Sequence, residues 1–254
     1  MQPRSARDDP GSQTLERPSA GLDVLACAVL AAAVLALYLP AGIFSPGHAL
    51  KGIDFQSIHD RRIAFVQESF AHAGLRLPGW YPRELMGTPF WSNVQSFPFL
   101  PTRLALLWIP HDLVFAAGVN VAAILAAVFT FLFLRRLALG RIAAVAGGWT
   151  FAASGFFASR VLAGHLPLLE AFAALPLLLW CVERIAETDP DDPAERGRLR
   201  SRFLALVLAS FCVVLAGHPQ VPAYAVGTAA IYAVFRAGGR PRLRTLAAIG
   251  CGIA

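Results

Sequence analysis

Charge is what this chain has least of. Asp, Glu, Lys and Arg make up 15% of its 254 residues, while 56% are apolar. A soluble domain carries about 25% charged and about 45–50% apolar residues. The mean hydropathy is +0.56. Other familiar signals are missing as well. The sequence holds no Gly-x-Gly-x-x-Gly, no Walker-type loop, no Cys-x-x-Cys pair and no His-Glu-x-x-His. A nucleotide cradle, a zinc site and a soluble-type hydrolase triad therefore find no support. The four cysteines, Cys27, Cys181, Cys212 and Cys251, lie in or at the ends of apolar runs, where they read as packing thiols.

What is present is apolar sequence in long blocks. A soluble enzyme, a disordered chain and a disulfide scaffold are excluded, and an all-α polytopic membrane protein is indicated. Spans are expected at about 22–40, 112–134, 142–163, 166–183, 203–217 and 221–235. A seventh is expected to open near Leu246 and to continue in a longer protein. The prediction is thus six to seven helices, with a long loop, 41–111, after the first. A polar tail, 1–20, precedes a single transmembrane domain, 21–254, and its Pro, Ser and Arg content predicts disorder.

The formal charge of +6 does not point to nucleic acid, because the arginines gather between apolar runs. Arg135, Arg136 and Arg141 form one group. Arg184, Arg196, Arg198, Arg200 and Arg202 form the next, and Arg236, Arg240, Arg242 and Arg244 the last. With the N-terminus in the cytoplasm, 15 of the 22 basic residues fall on the cytoplasmic side. Among short loops only Arg160 is external, which decides the orientation. All six histidines then lie outside. Two of them belong to an internal repeat: Leu162-Ala-Gly-His165 recurs as Leu215-Ala-Gly-His218, each copy followed closely by a proline.

The long loop has structure of its own. Ser57 to Ala73 reads as a helix with Ile63, Val66 and Phe70 on one side, suited to lying on a membrane surface. After it, prolines recur too often for a long helix, and aromatic residues accompany them. Such residues suit either an aromatic collar at the headgroups or the lining of a substrate cleft.

Gly52-Ile-Asp54, Pro78-Gly-Trp-Tyr-Pro82, Gly87-Thr-Pro89 and the Phe/Pro run ending at Pro101 resemble the first external loop of YfhO-like bacterial membrane proteins. Gly164-His165, Leu175-Pro-Leu-Leu-Leu179 and Gly217-His-Pro-Gln220 are similar to that family too. The resemblance covers residues 22–235. It implies a GT-C-like fold in a bacterial inner membrane, with membrane lipid and a polyprenyl-phosphate-linked sugar donor as partners and a cell-envelope glycan as product. It also implies an essential acid in the first external loop, a position that Asp54 matches, with Asp60 as second choice.

From the residues themselves the alternatives stay open. Asp54 is either a general base or a loop carboxylate, solvated or paired with Lys51 or Arg61. Glu170 lies one turn inside a span and needs a partner, for which Arg160 across the hairpin is a candidate. Arg160, His165, Glu170, His218 and Gln220 are the candidate substrate-binding residues, and capping or packing is the competing role for both histidines. No cofactor is called for. A divalent metal on Asp54 and His59 is conceivable, but their spacing of five is not diagnostic. A transporter or flippase and a non-catalytic scaffold remain as rivals.

The orientation is directly testable. A cysteine placed at Ser92 should react with a membrane-impermeant thiol reagent added outside intact cells, and one at Ser201 should not. The reverse pattern would overturn the topology.

Overall fold

The computed structural model describes residues 19–38, 52–74, 78–90, 100–188 and 192–237. The expected disordered tail, up to residue 18, and the expected seventh span fall outside them. The elements are α1 (Ala20–Tyr38), α2 (Asp60–Ala73), β1 (Trp80–Tyr81), β2 (Thr88–Pro89), α3 (Pro101–Leu106), α4 (Val114–Arg136), α5 (Arg141–Ala152), α6 (Gly155–Ala163), α7 (Leu166–Ala186), α8 (Arg196–Leu215) and α9 (Gln220–Ala237). The all-α expectation holds apart from one two-stranded hairpin in the loop.

Among the described residues, four helical segments are long and apolar enough to cross a membrane: Ala20–Tyr38, His111–Arg136, Arg141–Ala163 and Leu166–Ala186. The fifth and sixth predicted spans form as helices α8 and α9 but fall short of that standard. Four arginines occupy the first seven residues of α8, and α9 has only 18 residues, with a glutamine and an arginine near its ends. Apolar side chains cover much of the bundle's outside. Leu22, Leu25 and Val29 on α1, Leu204, Leu208 and Phe211 on α8, and Ile231, Val234 and Phe235 on α9 are all exposed. Such a surface is costly in water and unremarkable in lipid.

The middle of the bundle is α4 packed on α7. α1 offers Leu30, Val34 and Tyr38, one residue per turn, to α4 and α5, and its remaining faces are equally apolar. α4 carries a stripe of small buried residues, Ala122, Ala123, Ala126 and Ala127, which lets its neighbours approach closely. A Cβ on Gly148 of α5 would come within 2.6 Å of the Ala127 carbonyl oxygen, so this contact requires glycine. A Cβ on Gly155 would meet nothing within 4 Å. A second apolar cluster joins α7 to α8 and α9 through Leu178, Val182, Ile185, Leu206 and Val213. Asn120 and Thr130, polar residues buried in α4, bond within that helix. Each donates to the carbonyl four residues back in its own helix, to Ala116 and Ala126.

The third predicted span is broken at Ala153–Ser154. The break is sealed locally. Tyr38 Oη donates to the Ala152 carbonyl at 2.7 Å, and Ser154 Oγ caps α6 by accepting from the Phe157 amide. Phe172 of α7 stacks on Phe151 and touches Phe156 on either side of it.

One end of the bundle is held by arginines. Asp23 pairs with Arg141 at 2.7 Å and Arg135 at 3.4 Å, and Glu183 of α7 is paired with Arg236 and Tyr232 of α9. The other end carries the loop. α2 follows a wide π-helical turn over Phe55–His59. Its apolar face, which the sequence suggested for a membrane surface, packs against the loop itself. Val66 is buried beneath Tyr81, Phe90 and Leu107, so the loop's own hairpin and α3 roof it. Ion pairs Arg62–Glu84 and Arg83–Glu68 tie the hairpin to α2.

Glu170 corrects another expectation. Its partner is Arg103 of α3, not Arg160. Arg103 Nε lies 2.7 Å from Glu170 Oε2, and its Nη2 also reaches the Ala216 carbonyl at the end of α8 at 2.6 Å. Thr102 Oγ1 adds a bond of 3.3 Å. Both charged side chains are at least nine-tenths buried. Removing one partner leaves the other charged and desolvated, which costs about 3–5 kcal/mol, whereas replacing both with apolar residues is often neutral. Thermal unfolding in detergent should therefore show Glu170→Ala strongly destabilised and the double variant Arg103→Met/Glu170→Leu much less so. Equal losses in the two would show that the pair is not what holds α3 down.

Candidate functional site

Two glycines set the site. Gly52 packs so tightly on the turn after α6 that a Cβ there would lie 2.1 Å from the Gly164 backbone nitrogen. Gly164 itself closes α6 in the left-handed region, φ +86°, with its amide bonded back to Arg160 and Val161. Gly217, the second copy of the repeat, takes the same conformation at φ +77°. The repeated Leu-Ala-Gly-His is thus one turn used twice, each delivering a histidine to the same end of the bundle.

This backbone contact brings the residues next to the two glycines together. His165 Nε2 meets Asp54 Oδ2 in a short hydrogen bond. The other imidazole nitrogen, Nδ1, faces Arg160 Nη1 at 3.5 Å. An arginine only donates, so Nδ1 is the acceptor and Nε2–H donates to the carboxylate. Arg160, His165 and Asp54 form a chain directed along one line. Arg160 also lies over the Phe156 ring, 5.3 Å from its centre. His165 does not cap α7 with its side chain.

Asp54, Ile58, His59, His165, Pro167, Leu168 and His218 surround a cavity of about 100 Å³. It is open at its rim and has room for a few waters or a phosphate group. The Asp54 side chain is 47% exposed and His165 26%, so the pair stands at the rim. His59 forms the floor, itself buried. Burial, then Arg103 and Arg62, push its pKa down to about 3. Burial, followed by His165, also lowers that of His218. Both imidazoles are therefore neutral at neutral pH and act as hydrogen-bonding groups rather than cations. Two buried polar atoms here, His218 Nδ1 and Arg160 Nε, have no hydrogen-bond partner among the described residues, and such atoms ask for an explanation.

The structure thus gathers Asp54, His165 and His218, with Arg160 behind His165. Glu170 sits apart, engaged by Arg103. It lines instead an apolar cavity of about 170 Å³ with Thr102, Val121, Leu125, Phe129 and Cys212. Gln220 is exposed and donates to Tyr224 Oη, away from the polar cavity. Asp60, the second choice for the acid, bonds His111 Nε2 at 2.9 Å. Lys51 lies outside the described residues. Arg103 was not singled out by sequence, and His59 was considered only as a metal ligand beside Asp54. His59 sits five residues after Asp54 on the π-helical turn, and that spacing was its only mark. No group of three His, Cys, Asp or Glu side chains suited to a metal ion occurs among the described residues.

Buried neutral His59 carries a pH signature. Free histidine titrates near 6.5, so between that pH and about 3 the unfolded chain binds a proton that the folded chain does not. Stability from this group is full above pH 6.5 and falls as pH drops towards 3. The groups around it that act on its charge are Arg103, Arg62, Asp54 and His165. The unfolding midpoint in detergent should decline from pH 6.5 to 4, and His59→Gln should flatten part of that decline. An unchanged slope would place the pH dependence elsewhere.

Comparison with family models, with curated proteins and with solved structures gave no match to this chain.

Proposed function

We propose that this chain is the membrane-embedded part of a GT-C-like glycosyltransferase, multi-pass in a bacterial inner membrane with its N-terminus in the cytoplasm. On this reading α8 and α9 complete six spans, and the loop end faces outwards. The enzyme moves a sugar from a polyprenyl phosphate to a cell-envelope acceptor. The observation that carries the reading is the Asp54–His165 pair at the rim of a small polar cavity, at the end where the long loop meets both Gly-His turns. The loop's resemblance to YfhO-like proteins supports it.

The chemistry follows from the parts. The acceptor hydroxyl gives its proton to the Asp54 carboxylate as its oxygen bonds to the sugar's anomeric carbon. The bond from that carbon to the phosphate oxygen breaks, and the phosphate leaves with the electron pair. His165, donating from Nε2, holds the carboxylate in place and is itself braced by Arg160. Neutral His218 offers a hydrogen bond to the phosphate or to the hydroxyl.

A transporter has one observation in its favour: the broken third span, since such breaks line transport sites. Here, however, the Tyr38 hydroxyl and the Ser154 cap occupy the polar groups freed by the break, and phenyl rings flank it. No ionisable side chain joins them in those contacts. The ionisable residues deeper in the bundle, Glu170 and Glu183, are held in ion pairs.

The two readings separate in proteoliposomes loaded with a labelled polyprenyl-phosphate sugar. Asp54→Asn should reduce transfer to acceptor by about 100-fold or more, the usual contribution of a positioned base, with little change in unfolding midpoint. His218→Ala should have a smaller effect. Undiminished transfer in Asp54→Asn removes the catalytic assignment. Movement of donor across the bilayer without transfer, in wild type and variant alike, favours the transporter.

A further inference from the structure

The hairpin of the loop ends in a tip that ordinary packing does not explain. Leu85 is 82% exposed and Met86 fully so. Both have positive φ, +49° and +61°, followed by Gly87 at +109°. Residues with a Cβ disfavour that region, so two in succession are strained, and strain of this kind gathers at functional positions. The strain is firmly supported. The Gly87 amide closes the turn on the Glu84 carbonyl at 2.8 Å. Glu84 is paired with buried Arg62 and Arg83 with Glu68. The Trp80 indole lies against Gly87, leaving no room for a Cβ there, and is itself half-exposed. The fold holds two large apolar side chains out rigidly, with a tryptophan behind them.

The level of the hairpin follows from its contacts. Glu170 is one turn inside α7, a helix long and apolar enough to span, and grips Arg103 of α3. Leu107 follows four residues later, about 6 Å along a helix. It packs in one cluster with Tyr81 and Phe90, the base of the hairpin. Exposed Trp108 is next in the chain. The hairpin is therefore anchored within one or two turns of where α7 enters the apolar region, and tryptophans favour that boundary.

We propose that the Leu85–Met86 tip, with Trp80 and Trp108, is seated in the headgroup–acyl boundary of the leaflet at the Asp54 end. The choice of lipid over a protein partner rests on polarity. Protein interfaces combine apolar contacts with hydrogen bonds, but the charged residues flanking this tip are already committed to α2. The two side chains at the tip, Leu85 and Met86, are apolar, which is what a lipid boundary accepts. The proposal stands on the loop's own geometry and does not depend on the reading of Asp54.

A single-cysteine form of the full chain, with the native cysteines replaced by alanine and Met86→Cys carrying a polarity-sensitive fluorophore, tests this in vesicles of phosphatidylethanolamine and phosphatidylglycerol. The same label on Asp192→Cys, an exposed position in the loop before α8, serves as the aqueous reference. The expected result is blue-shifted emission several-fold brighter than the reference, quenched by lipids bearing a quencher high on the acyl chain and protected from iodide. Emission like that of the reference, quenched by iodide, overturns the proposal. So does blue-shifted emission that neither quencher reaches, which places the tip against protein. Leu85→Asp/Met86→Asp, still folded by its unfolding midpoint, should strip protection from a label moved to Trp80→Cys; retained protection there also counts against insertion.

Discussion

The arrangement depends on one buried ion pair. A charge within the apolar layer must be neutralised by something close at hand, and Glu170 finds Arg103, which the sequence places far away in the loop. That pairing does more than satisfy a carboxylate. Because Arg103 also holds the carbonyl of Ala216, it fastens α3 to α7 and to the end of α8 at once. The loop is thereby built into the end of the bundle. The hairpin, α2 and the π-helical turn bearing His59 are positioned through α3, Leu107 and the Gln67 bonds to the Leu107 and Ile109 carbonyls.

A second constraint acts on the backbone. Asp54 and His165 are far apart in the chain and meet because Gly52 and Gly164 allow two backbones to touch. The contact costs both positions any side chain, and it leaves the acid and the imidazole with little freedom of separation. The polar cavity is then defined on its far side by His218, the product of the same turn built from the second Leu-Ala-Gly-His. Charge is kept out of its floor by burial. His59 is neutral there first because it is desolvated, and Arg103 and Arg62, the residues that anchor the loop, further oppose its protonation. Loop anchoring and the electrostatics of the site share the same two arginines.

The sequence by itself determined the helices, the long loop and the place of its two Gly-His turns. These are local matters. Apolar runs of span length have few alternatives to a helix where backbone groups must pair internally, and the Gly-His turns after the third and fifth runs mark where those runs end. Asp54, His165 and His218 were legible for that reason, each driven to one end of the bundle by topology. Tertiary structure alone decided which of them touch. It gave Glu170 to Arg103 rather than to Arg160, turned Gln220 outward, and covered the apolar face of α2 with a hairpin where sequence periodicity had suggested a membrane surface. It also made His59 the floor of the site and sealed the break in the third span with Tyr38. The reason is the same in each case. Periodicity records that a face is apolar or that a charge is buried, but not what covers the face or pairs with the charge, because those partners come from parts of the chain brought near only by folding.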